Sequence, residues 1–191
     1  MMKRRVLLLL QRITFLFIAL QCVSSEGSQV GGLSAGMKLP PFMLPSPDSE
    51  ETREYLGLGA MGPFTLSDID SKLVLIEFMS VTCVACNLNA PVTNRLYNVI
   101  LKDPLLAKSV KMIGVAFGNS DREILAFKNK HKTRFPVFPD EECAIAVAVG
   151  LMQTPVMVLT TTRGDILTSH EGSIRDFDGF LRELRDICKK R

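Results

Sequence analysis

From Leu66 onward, apolar and polar positions follow a regular order. Leu73-Val74-Leu75-Ile76-Glu77-Phe78-Met79 is a continuous apolar run broken by one acid, the pattern of a strand buried on both faces. Val110 to Phe117 has the same character and predicts a second buried strand. Between them, Cys83 to Lys102 reads as a helix, interrupted by Pro91 and closed by Asp103-Pro104. Ser120-Asp121-Arg122-Glu123 is a capping-box signature that opens a helix to about Lys130. Phe135 to Phe138 predicts a short strand or extended piece, and Glu141 to Val149 an Ala-rich helix. Met157 to Thr161 and Asp165 to Ser169 flank Thr162-Arg163-Gly164, a hairpin signal. The chain closes on an amphipathic helix from about Ile174 to Cys188. Strands alternate with helices first, and a hairpin plus helix come last. This order predicts an α/β fold, a central mixed β-sheet flanked by helices.

Upstream of Leu66 the pattern is less regular. Residues 1–25 place a basic cluster (Lys3, Arg4, Arg5, Arg12) ahead of the mostly apolar run Ile13 to Val23. That is the order of a secretory signal peptide, with small residues at Val23-Ser24-Ser25 and cleavage before Glu26. Val6 to Leu20, interrupted by Arg12, also approaches the length of an uncleaved N-terminal membrane anchor. Cys22 is a third reading, a lipid-attachment cysteine, which the bulky Gln21 before it fits poorly. All three put the body of the protein outside the cytoplasm, in the periplasm or another extracytoplasmic space. Residues 26–36 continue a Ser- and Gly-rich tract and read as a flexible tether, and residues 37–191 as one domain. Pro45 to Gly62, polar and containing Pro and Gly, reads as a loop or insertion.

Composition narrows the function. With 191 residues, 47% hydrophobic and 23% charged, the chain suits one globular domain. Its formal net charge of +3 is a property of the leader, because the residues after position 25 carry 19 basic side chains against 20 acidic ones. A nucleic-acid partner therefore has no compositional support.

The chemistry sits at Cys83-Val84-Ala85-Cys86, directly after the first buried strand and at the start of a helix. Unpaired backbone N–H groups and the helix dipole at that position stabilise a thiolate on Cys83. Cys86, one turn deeper, is placed to attack a mixed disulfide formed by Cys83. A zinc site would need more ligands: there is no second CxxC, and His131 and His170 are far apart. No metal and no cofactor are expected. Glu77, flanked by Ile76 and Phe78, is expected to be buried with a raised pKa, which suits it to take the proton of Cys86. His131 is expected on a solvent-facing side of its helix and His170 in a strand or loop, neither with a catalytic companion.

These residues resemble the thioredoxin superfamily, and within it the exported TlpA/ResA-like thiol–disulfide oxidoreductases. Glu77 lies six residues before Cys83, where that family places a buried carboxylate, and Ala90-Pro91 follows the motif where it has a helix-kinking proline. Thr154-Pro155, just before a strand, matches its cis-proline, and Gly172 precedes the last helix. Gly36 to Leu44 and Phe64 to Asp68 resemble its N-terminal β-extension, so the likeness runs from about Gly36 to Ile187. It implies a thioredoxin-like fold, a cis bond at Pro155, and a substrate backbone received at Thr154 and Pro155. It also implies that Cys143 and Cys188 lie on opposite faces of the sheet, too far apart to pair; both are expected as buried, inert thiols. Two departures stand out: the chain has no Trp, with Met79 and Thr82 in the usual tryptophan places, and Val84-Ala85 lacks the usual proline.

The expected activity is disulfide exchange on exported proteins, chiefly reduction, with a membrane electron donor restoring the dithiol and, in that family, cytochrome c maturation among the uses. A monomer is expected. A peroxiredoxin-like thiol peroxidase is an alternative, although Ile76 stands where that motif needs a proline. A non-enzymatic copper carrier or client-holding maturation factor is another, against which stands the lack of a Met- or His-rich cluster near the motif.

Overall fold

A computed structural model describes residues 32–191, so the expectations for residues 1–25, for Cys22 and for the tether up to residue 31 lie outside it. The two apolar runs are neighbouring central strands. In β1 (Leu73–Met79) every residue is buried, Glu77 included. In β2 (Val110–Phe117) only Lys111 and Phe117 are partly exposed. The two pair in parallel, Leu73 opposite Val110 and Met79 opposite Ala116. β3 (Val137–Asp140) adds in parallel to β2. β4 (Val156–Thr161) and β5 (Ile166–Glu171) form the expected hairpin, joined antiparallel to the other side of β1. The sheet is therefore mixed, with strand order β3-β2-β1-β4-β5. Gly164 closes the hairpin at φ 89, and a Cβ there would lie 3.0 Å from the Leu39 carbonyl, so both backbone and space favour glycine.

Parallel neighbours need crossover connections, and helices supply them. α1 (Glu50–Leu56) precedes the sheet. α2 (Val84–Lys102) and α3 (Pro104–Ser109) link β1 to β2, α4 (Asp121–His131) links β2 to β3, and α5 (Ala144–Val149) links β3 to β4. α6 (Phe177–Lys189) ends the chain. The two-residue period of β1 divides the core. Leu73, Leu75 and Met79 pack in a layer with Leu96 and Ile100 of α2 and with Leu181 and Leu184 of α6. Val74, Ile76 and Phe78 face the opposite layer, with Ile145 and Val149 of α5 and with Leu39, Leu44 and Phe64. A fully buried apolar side chain of this size contributes roughly 1.5–3 kcal/mol, so β1 anchors both layers.

Several boundaries differ from the pattern-based reading. Residues 45–62 are not all loop, because α1 forms there, capped by Ser49, whose hydroxyl accepts from Thr52 N–H at 3.2 Å. With only Thr52 and Leu56 buried, that helix carries no apolar period to read. Asp103 not only ends α2 but also caps α3, its carboxylate accepting from the N–H groups of Leu105 and Leu106. α5 starts at Ala144 rather than Glu141, and α6 at Phe177 rather than Ile174. The expected N-terminal β-extension is two isolated bridges, Lys38 with Asp165 and Leu44 with Phe64, rather than paired strands. Among the described residues no helix is long and apolar enough to cross a membrane.

Candidate active site

β1 delivers the chain to a short turn, and Cys83 then stands at the N-cap of α2 with extended backbone, φ −71 and ψ 121. Both cysteines of the motif are free thiols, Cys83 partly exposed and Cys86 buried. The Cys83 sulfur accepts from the Cys86 N–H at 3.3 Å, as a side-chain cap would. Its S–H donates to the Thr154 carbonyl, also at 3.3 Å, and the Thr154–Pro155 peptide is cis. The sequence-singled residues Cys83, Cys86 and Thr154 thus meet at one point, with Pro155 adjoining.

The two thiols are driven apart. Burial opposes ionisation of Cys83, but hydrogen bonding to the side chains of Cys86 and Thr154 and to the backbone N–H groups of Cys86 and Ala85 outweighs it and lowers its pKa. Burial and the hydrogen bond with Cys83 push Cys86 up to about 12. The arrangement makes Cys83 the more readily ionised of the two thiols and Cys86 the less.

Glu77 is 2% exposed, and burial raises its pKa to about 7 against the smaller opposing effect of hydrogen bonds from Asn89 and Thr93. Strand alternation puts it on the same side of β1 as Leu75 and Met79, the layer that contains Cys86 and Ala90. Asn89, fully buried, donates to the Glu77 carboxylate at 3.4 Å and accepts from the Ile174 N–H at 3.0 Å. It joins strand, redox helix and the approach to α6. In the sequence the one signal for Asn89 is a polar residue three positions after Cys86, on the helix face that packs inward.

Two further asparagines frame the turn. Asn119, after β2, accepts from the Val81 N–H at 2.9 Å and from the Ser80 hydroxyl at 3.1 Å. Asn87 donates to the carbonyls of Val81 and Cys83. Apart from Lys130, whose ammonium reaches Asn87, charge is sparse here: no Asp, Glu, Lys or Arg occurs in residues 78–94 or 143–162. Val84 and Leu88 are each 73% exposed and Met152 is 89% exposed.

The other cysteines are separate from this centre. Cys188 is buried in the layer containing α2 and α6, whereas α5, which Cys143 precedes, packs in the opposite layer. Cys143 is not the buried thiol expected, since it is partly exposed at a left-handed residue, φ 55. His131 is also not a free solvent-facing side chain: its ring lies 4.5 Å from that of Phe127, and its Nε2 is 2.9 Å from Asn87 Oδ1. His170, on β5, contacts the Ser173 carbonyl and the ring of Phe180. Among the described residues no cluster of three His, Cys, Asp or Glu could hold a metal ion.

Comparison with known proteins bears on family and fold. A family model described as the AhpC/TSA family matches residues 35–177. The thiol-disulfide oxidoreductase ResA of Halalkalibacterium halodurans is 22% identical over 124 residues, 65% of this chain and 66% of that protein. Among solved structures, the thioredoxin domain of a thiol-disulfide oxidoreductase from Bacteroides vulgatus superposes with a TM-score of 0.60 at 16% identity, covering 80% of this chain and 99% of that one. Peroxidoxin BcpB from Mycobacterium tuberculosis gives a TM-score of 0.58 at 14% identity, covering 83% and 97%. These structural likenesses show a thioredoxin-like fold.

Proposed function

The chain belongs to the AhpC/TSA family, and on that premise we propose that it is a thiol–disulfide oxidoreductase acting chiefly as a reductase of exported proteins. The observation that carries this reading is the Cys83 sulfur, partly exposed at a helix start and hydrogen-bonded to the Cys86 N–H and the Thr154 carbonyl. The Cys83 thiolate attacks a client disulfide, forms a Cys83–client disulfide and releases one client thiolate. Cys86 then gives its proton to the Glu77 carboxylate and attacks the Cys83 sulfur. A Cys83–Cys86 disulfide forms, and the second client thiolate leaves and is protonated. Two electrons pass to the client. An electron donor at the membrane then returns two electrons and two protons to the pair.

Thr154 and Pro155 receive the client backbone by strand-like pairing beside the sulfur. The exposed apolar side chains of Val84, Leu88 and Met152 suit an apolar stretch around the client disulfide. The basic leader before an apolar run supports export, with the leader removed or kept as an anchor.

A Cys86→Ala variant tests the reading. In it, mixed disulfides through Cys83 accumulate in the exported fraction, and the wild type reduces insulin with dithiothreitol as electron source. No adduct together with no insulin reduction rejects the proposal. Rapid consumption of hydrogen peroxide with a Cys83 sulfenate replaces it by the peroxidase alternative.

A further inference from the structure

The Asn87 side chain makes four hydrogen bonds, which link the redox turn to the end of α4. Its amide NH2 donates to the carbonyl of Val81 at 2.8 Å and to that of Cys83 at 2.9 Å. Its Oδ1 accepts from Lys130 Nζ at 3.0 Å and lies 2.9 Å from His131 Nε2. The partners fix the amide's orientation, because a flipped amide would set its oxygen against two carbonyls and its NH2 against an ammonium. For the same reason His131 Nε2 carries a proton whether the ring is neutral or charged. The outer anchor is itself held: Asn94 donates to the His131 carbonyl at 2.7 Å, and the Phe127 ring lies against the imidazole.

The turn between β1 and α2 is closed by one backbone bond, from the Cys83 N–H to the Ser80 carbonyl at 3.1 Å, and the asparagine side chains hold the peptide groups that this bond leaves. Val81 is held from both sides, its N–H by Asn119 and its carbonyl by Asn87. The Cys83 carbonyl accepts from the Asn87 side chain and from the Asn87 backbone N–H. Neither asparagine is bonded to the sulfur.

We propose that Asn87, anchored by Lys130 and His131, is a positioning residue that holds the Val81 and Cys83 peptides so that the Cys83 sulfur stays aligned with the Cys86 N–H. The inference rests on the reading of Cys83 as the attacking thiolate. Without the clamp, the Cys83 peptide rotates, the sulfur loses its N–H donor, and less thiolate forms at a given pH.

The test is the pH–rate profile of iodoacetamide alkylation at Cys83, followed by peptide mass on the reduced full-length chain. Asn87→Ala moves the profile to higher pH and slows alkylation below neutrality about threefold or more, the scale of one lost hydrogen bond. The surface pair Lys130→Ala with His131→Ala keeps the Asn94 bond to the backbone and moves the profile the same way by less. Lys130→Gln with His131→Gln keeps an N–H donor at both positions and stays with the wild type. A purely structural role for Asn87 would lower the melting temperature and leave the profile in place. A folded Asn87→Ala protein with the wild-type profile overturns the inference; should that variant not fold, a wild-type profile in the double Ala variant overturns it. A wild-type profile of an ordinary, unshifted thiol instead rejects the thiolate reading of Cys83, and the clamp with it.

Discussion

Glu77 is the one ionisable side chain in a strand whose other six residues are apolar and buried. Its pKa is raised from 4.5 to about 7 by burial, and the sign of the consequence is fixed. Between those values the folded chain binds a proton that the unfolded chain has released, so this group's contribution to stability falls as pH rises from 4.5 to 7 and is constant above. A Glu77→Gln variant, which keeps an acceptor for Asn89, therefore gains on the wild type with rising pH, by up to roughly 3 kcal/mol. Urea unfolding of both proteins at pH 5 and pH 8 measures it, and an equal difference at the two values would mean a solvated acid. The same variant slows release of a preformed Cys83 mixed disulfide about 100-fold, the usual scale of lost general-base help, which quenched-flow trapping reads. Glu77, Cys83 and Cys86 were legible in the sequence because each interrupts a pattern: an acid in an apolar run, a thiol at a helix start. Asn87 and Asn89 were not, because ordinary polar residues on a helix acquire a role only when the partner across the fold is known.

At the scale of elements, long apolar runs were read correctly and short capped pieces were not. β1, β2 and the β4–β5 hairpin lie close to where periodicity and turn chemistry put them. α1 and the starts of α5 and α6 depend instead on individual side chains. α5 shows why its start was misplaced: Cys143 at its N-cap makes no side-chain cap. Asp140, three residues upstream at the end of β3, accepts from the N–H groups of Ile145 and Ala146 at 3.0 and 2.9 Å. The cap comes from the preceding strand, so no local signature marks the helix. Asp140→Ala leaves two buried N–H groups without acceptors and costs about 1–2 kcal/mol. Thermal unfolding followed by circular dichroism shows a melting temperature lower by several degrees; an unchanged midpoint would mean that α5 is held by Ile145 and Val149 packing alone.

For the whole molecule, the mixed sheet, its strand order and its helical layers place one partly exposed thiol among the exposed apolar side chains of Val84, Leu88 and Met152. Residues 26–191 carry 19 basic side chains against 20 acidic ones, so on the proposed reading long-range steering contributes little to client capture. Matched acidic and basic disulfide peptides are accordingly reduced at rates within about twofold of each other, at low and at high salt, whereas a charged docking surface would favour one of them steeply at low salt. The class of chemistry was legible from the CxxC placement together with Glu77 and Thr154-Pro155. The balance between the thiols was not, because it comes from contacts between β1, α2 and the segment before β4. The redox potential of the Cys83–Cys86 couple tests the central claim most directly, by equilibration in dithiothreitol buffers and mass analysis of the alkylated thiols. One reversible two-electron couple is expected on the reducing side, near the roughly −270 mV of a thioredoxin dithiol. A couple near the roughly −120 mV of a strong oxidant, or no reversible couple between these cysteines, would contradict it.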